Sequence, residues 1–221
     1  MRNLKRALSL ALASVILLGM MVVGSSAKGI DDFTDKAEIV NQDAVAVTSA
    51  IGLFDGYEDG SFGPENVVTR AEMAVIICTM LYGAGVNVNQ FAETNVFTDV
   101  PAWAQGYVNL CSSLGIVAGV GDGKFRPDGT LSRQEAAVMV VRAAGLCGLD
   151  TALDAAAVRS LLASFSDYVT TAAWARESLA FCYQENILDP SDLAIRPAEA
   201  IRRCEVAQML FRMLDRAELL V

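Results

Sequence analysis

Three arginines in this 221-residue chain each sit two positions ahead of a glutamate: Thr69-Arg70-Ala71-Glu72, Ser132-Arg133-Gln134-Glu135 and Arg202-Arg203-Cys204-Glu205. The first two strings fit a capping box, in which the N-cap hydroxyl accepts from the N3 amide and the N3 glutamate reaches back to the N-cap amide. This gives Thr69, Glu72, Ser132 and Glu135 helix-capping roles and leaves the arginines unexplained, because a cation at the first helical position opposes the helix dipole. Two chemistries stay open for them. One is an ion pair, with Asp35, Asp99 or Asp167 as partner; the other is reception of an anionic ligand at a site enriched by helix N-terminal amides. In the third string Arg202 replaces the hydroxyl, which puts both cap and pocket there in doubt.

Two tryptophans, Trp103 and Trp174, also recur at matching places. Each is read either as a core anchor or as a platform for the apolar face of a sugar ring. The segment Asp55-Gly56-Tyr57-Glu58-Asp59-Gly60 invites a calcium reading, but counting from Asp55 puts Tyr57 at position 3, where an EF-hand wants an oxygen ligand, and Asn66 at position 12, where it wants a glutamate. A turn is the better assignment, and no metal or cofactor is expected. The chain has no histidine, which removes the usual general base, the histidine-activated nucleophiles and the commonest transition-metal ligand. No carboxylate pair stands out for glycoside hydrolysis, so an enzyme is not expected. The five cysteines lack Cys-x-x-Cys spacing, and their odd count leaves at least one unpaired. Most are expected to be small core residues.

These residues belong to a unit stated three times. Phe97-Thr98-Asp99, Trp103-Ala104, Leu114-Gly115-Ile116, Asp122-Gly123-Lys124-Phe125-Arg126-Pro127 and Ser132–Glu135 return upstream as Phe33-Thr34-Asp35, Ile51-Gly52-Leu53, Asp59-Gly60-Ser61-Phe62-Gly63-Pro64 and Thr69–Glu72. Downstream they return as Phe165-Ser166-Asp167, Trp174-Ala175, Asn186-Ile187-Leu188, Ile195-Arg196-Pro197 and Arg202–Glu205. Glu72, Glu135 and Glu205 are 63 and 70 residues apart, and the fixed order of landmarks marks a repeat protein. The units are placed at 28–90, 91–150 and 151–221. Each is expected to supply two helices and a loop. Gln42 to Ile51, stopped by Gly52, Pro101 to Leu114, and helices starting at Thr69 and Ser132 fit this pattern, as does a last helix over Ala198 to Leu214. Ala136, Met139, Val140 and Ala143 form one core-facing stripe, and Val206, Met209, Leu210 and Met213 another. An additional short helix is expected within Thr151 to Ala163, and Tyr82 to Glu93 reads as a connector. The first unit has only Ile39 or Val40 where the second has Trp103. In the third, Asn186 replaces Gly115 and Leu193 replaces Gly123, so its loop is expected to change shape.

The hydrophobic fraction of 53% allows a real core. Residues 1–27 read as a secretory signal peptide: Arg2, Lys5 and Arg6, an apolar run from Ala7 to Val23, then Ser25-Ser26-Ala27. The formal net charge is −9, and cleavage would remove three of the positive charges. Nucleic acid is not expected as a partner of so acidic a chain.

The ordered set of Phe-x-Asp, Trp-Ala, Leu-Gly-Ile, Asp-Gly-x-Phe-x-Pro and Thr-Arg-Ala-Glu, stated three times with the departures noted above and behind an export signal, resembles the S-layer homology family over roughly residues 31 to 216. The resemblance implies a mainly α fold of three helix-loop-helix repeats packed as a pseudo-threefold bundle, with one helix of each at the centre and ligand grooves between neighbours. It also implies a secreted protein of the cell wall and surface layer that binds a secondary cell-wall polysaccharide, a peptidoglycan-linked polymer with a pyruvylated sugar as one candidate. Arg70, Arg133 and Arg203 would receive its acidic group, Trp103 and Trp174 would line or stack on sugar, and Asp35, Asp99 and Asp167 would orient the arginines or accept hydroxyls. Three grooves on one polymer would gain through effective concentration. The rival expectation is a structural surface-layer subunit, or a module docking other surface-layer proteins with degenerate sugar sites.

Overall fold

The structure is a computed structural model that describes residues 28–93, 96–189 and 193–220. The expected signal peptide lies outside the described residues. The protein is mainly α-helical, with α1 (Gln42–Ala50), α2 (Arg70–Tyr82), α3 (Asn89–Ala92), α4 (Ala102–Ser113), α5 (Arg133–Leu146), α6 (Ala155–Leu162), α7 (Arg176–Gln184) and α8 (Arg203–Arg216). Among the described residues no helix is long and apolar enough to cross a membrane.

Helix boundaries follow local chemistry. Thr69 and Ser132 cap α2 and α5 with complete capping boxes. Pro101 is the N-cap of α4, and Asp154 caps α6 by accepting from the amides of Ala156 and Ala157. Two expectations change. The last helix begins at Arg203 rather than Ala198, because the preceding segment is extended: Ala200 bridges Ser132 and Arg202 bridges Val67. The stretch read as a connector contains α3, which packs on α4; a side chain on Gly106 of α4 would lie 2.6 Å from the Val88 carbonyl.

The units do not fold as separate hairpins. Each leading helix packs on the second helix of the unit before it, α4 on α2 and α7 on α5, and α1 of the first unit packs on α8 of the third. This contact order closes into a ring. The second helices lie inside: α5 touches both α2 and α8, and Ala136, Ala137, Val138, Met139, Val140, Val141, Ala143 and Ala144 are all buried, so its apolar surface is much wider than one stripe. A helix buried on most sides needs no polar face. At their N-terminal ends three backbone hydrogen bonds form a closed cycle. Leu131 N–H donates to Val68 O at 2.9 Å, Ile201 N–H to Leu131 O at 2.9 Å, and Val68 N–H to Ile201 O at 3.2 Å.

The Phe-x-Asp and Phe-x-Pro landmarks form the wedge under each loop. Phe33 packs on Phe62 and Phe97 on Phe125, each pair with centroids 5.4 Å apart. Gly56 and Gly119 lie against these rings, where a Cβ would come within 2.8 Å of Phe33 or 2.6 Å of Phe97. In the third unit Ile195 takes the place of Phe125, and Phe165 packs instead on Tyr183 at 4.2 Å. Asn186 adopts the left-handed conformation that Gly52 and Gly115 use elsewhere, an arrangement asparagine tolerates better than most residues. Leu193 stands where Gly60 and Gly123 use a positive φ. Its carbonyl still accepts from Ser166 N–H, but at 3.5 Å against 3.1 and 2.9 Å in the other units.

Candidate functional site

The three arginines sit at the joints of the ring, at the first position of α2, α5 and α8. Their neighbouring helix amides are already occupied. Arg70 N–H and Ala71 N–H donate to Gly129 O and Pro127 O of the next unit, Arg133 and Gln134 to Glu199 O and Pro197 O, and Arg203 and Cys204 to Asn66 O and Pro64 O. The expected anion site built from helix N-terminal amides is therefore corrected: the adjoining loop satisfies those donors.

Arg70 and Arg133 are committed as well. Arg70 gives Nε to Phe125 O at 2.9 Å, Nη2 to Ala118 O at 2.8 Å and Nη1 to Glu135 Oε1 at 2.9 Å, with its guanidinium 4.6 Å from the Phe125 ring centroid. Arg133 repeats this one unit later. Its Nε donates to Ile195 O at 3.0 Å, Nη1 pairs with Glu205, and only 4% of its side chain is exposed. Of the two chemistries open in the sequence, the ion pair applies to these two arginines. Their carboxylate partner is the capping glutamate of the next unit, whose fields and hydrogen bonds offset the unfavourable helix dipole.

Asp35, Asp99 and Asp167 do different work from that expected. Each spreads its two oxygens over consecutive loop amides at 2.8–2.9 Å: Asp35 accepts from Phe62 and Gly63, Asp99 from Phe125 and Arg126, Asp167 from Ile195 and Arg196. They position the carbonyls that the arginines grip, so their effect on Arg70 and Arg133 passes through the loop backbone. Burial raises the Asp99 carboxyl, and the two amides outweigh it, holding the group below the usual aspartate value.

The closing joint differs. Arg203 lies over three rings, 4.8 Å from the Phe54 centroid and 5.1 Å from those of Tyr57 and Phe62. Among the described residues its guanidinium makes no hydrogen bond, and its buried Nε has no partner. Burial lowers its pKa, opposed by the nearby charges of Tyr57, Glu72 and Asp55. Tyr57 occupies the place of Val120 in the second unit and supplies an aromatic face where Arg70 has carbonyls in reach. Sequence reading set Tyr57 aside as a turn residue; its aromatic character next to a matched glycine was the available signal.

Trp103 and Trp174 are 57% and 59% exposed, which excludes the core-anchor reading. Trp103 lines an open groove of about 460 Å³ with Val86, Asn87, Asn89, Gly106 and Tyr107; its lining contains no arginine. The first unit offers no aromatic there, since Ile39 is buried and Val40 is an exposed aliphatic.

Closed three-unit geometry, the repeated loops and the arginine joints define a class of repeat module, and comparison with known proteins identifies it. Residues 32–74 and 96–137 match the S-layer homology domain, and the chain belongs to that family through these two units. It is 35% identical over 153 residues to a "Cell surface protein" of Thermoanaerobacter kivui, covering 68% of this chain and 20% of the relative. It is 33% identical over 147 residues to a "Surface layer protein" of Brevibacillus choshinensis, covering 64% and 13%. A "Cellulosome-anchoring protein" of Acetivibrio thermocellus is 30% identical over 100 residues, covering 45% and 22%. The chain thus spans about a fifth or less of the length of these relatives.

Proposed function

We propose that this protein is a noncovalent anchor of the cell surface that binds an acidic secondary wall polysaccharide, with the joint between the third and first units as its anion-receiving groove. The third unit, which repeats the same helix order and the same loop grip by Asp167, acts as a third S-layer homology repeat. The observation that carries this reading is Arg203, which keeps its guanidinium donors while Arg70 and Arg133 spend theirs inside the protein. A carboxylate arriving there gains charge-assisted hydrogen bonds and relieves a buried donor of its desolvation cost. Of the three rings at this joint Phe54 and Phe62 are buried beneath Arg203, and Tyr57, 39% exposed, offers the aromatic surface on which a pyranose ring stacks. Trp103 and Trp174, exposed at matching positions, supply further sugar platforms along the polymer.

The test mixes the purified protein with cell-wall sacculi, before and after chemical removal of the secondary polysaccharide, and measures sedimented protein. Arg203→Ala, Trp103→Ala and Trp174→Ala run alongside; Arg133→Ala is unsuitable because it opens a buried ion pair. The expected result is binding that disappears with the polysaccharide and weakens at least tenfold in Arg203→Ala. Equal sedimentation with stripped sacculi, or no sedimentation, overturns the reading and favours assembly with surface-layer proteins.

A further inference from the structure

Two of the five cysteines face each other across the first joint. Cys78 of α2 and Cys111 of α4 are both fully buried, and their sulfurs are 3.1 Å apart. The contact is reciprocal: Cys78 Sγ lies 3.4 Å from Tyr107 O, and Cys111 Sγ lies 3.5 Å from Ala74 O, so each thiol sits against the carbonyl one turn before its partner. A disulfide needs sulfurs at about 2.0 Å, so closure asks for a movement of roughly 1 Å. The second joint cannot form an equivalent pair, because the positions matching Cys78 and Cys111 carry Val141 and Cys182.

We infer that Cys78 and Cys111 are a disulfide-forming site that staples the first unit to the second under oxidising conditions. The oxidant is a small-molecule or protein disulfide. One thiolate of the pair attacks it and displaces one thiol; the second then attacks the mixed disulfide, closing Sγ–Sγ and displacing the other thiol. Two protein thiols are oxidised and one disulfide is reduced to two thiols. Because both sulfurs are sealed in the folded joint, exchange occurs while α2 and α4 are still coming together. The cross-link closes a loop across 33 positions, long enough to restrict the unfolded chain substantially.

The full chain is reduced and unfolded, refolded in reduced and oxidised glutathione, alkylated under denaturing conditions and digested without reduction. The expected product is a peptide pair joined through Cys78 and Cys111, lighter by two hydrogens than its separate halves, with alkyl groups on Cys147, Cys182 and Cys204 alone. The oxidised protein should melt roughly 5–10 °C above the same sample after reduction. In Cys111→Ser, Cys78 should become alkylated. Alkylation of all five cysteines, a glutathione adduct without the cross-link, or a cross-link through any other cysteine overturns the inference.

Discussion

Arg70 and Glu135 join the first unit to the second through Nη1 and Oε1, 2.9 Å apart, while Oε2 of the same glutamate accepts from the amide and hydroxyl of Ser132 at 2.9 and 2.7 Å. One carboxylate therefore closes a joint and starts a helix. Glu135→Ala should cost about 2–3 kcal/mol, combining loss of a cap with a largely buried arginine left short of its counter-charge. Urea unfolding followed by circular dichroism measures it; a loss under roughly 0.5 kcal/mol would show that neither role matters.

The joints should respond unequally to loss of their arginines. Arg133→Ala removes a buried ion pair and a carbonyl contact and should cost about 3 kcal/mol or more. Arg203→Ala removes ring stacking, worth roughly 0.5–1 kcal/mol at each such contact, but also deletes a donor that has no partner. It should cost less than half as much. Denaturation of both variants under one condition decides this, and equal losses would contradict the described asymmetry.

Asp99 sets an acid-side dependence. Its carboxyl lies below the usual aspartate value in the folded chain, so its contribution is present above the unfolded-state pKa of about 3.9 and is lost as pH falls through the lower folded value. Asp99→Asn should lower stability by about 1 kcal/mol at neutral pH and flatten the loss on acidification. Parallel stability curves between pH 6 and pH 2 for the two proteins would refute the assignment.

Burial pushes the Cys147 thiol up to about 12 and the Cys204 thiol up to about 11. Thiolate is then scarce near pH 8, and native alkylation should be slow. Cys204, the one incompletely buried cysteine, should react first, at a rate rising toward pH 11. Time-resolved alkylation read by peptide mass tests the order; earlier modification of Cys182 would reverse it.

The repeat itself and most helix starts were legible in the sequence, because capping boxes and glycine stops are local devices. What hid were relations across joints. Nothing near Arg70 in the chain reveals that its partner is Glu135, and Asp99, two positions after Phe97, gives no sign that it holds amides 26 and 27 positions away. The start of α8 was misplaced for the same reason: Ala198 to Ile201 has helix-forming composition, yet Ile201 is held extended by backbone bonds to two other units. The tryptophans were ambiguous because an aromatic residue suits a core or a rim equally, and only tertiary packing decides.

Closure through Val68, Leu131 and Ile201 also sets how the architecture can grow. Solenoids lengthen by adding a unit to an exposed end and finish with caps. Here each of the three extended segments gives its amide to one neighbour and takes the amide of the other, and α1 covers α8. A fourth unit finds no vacant edge to extend, so longer arrays of such units must proceed by whole sets of three.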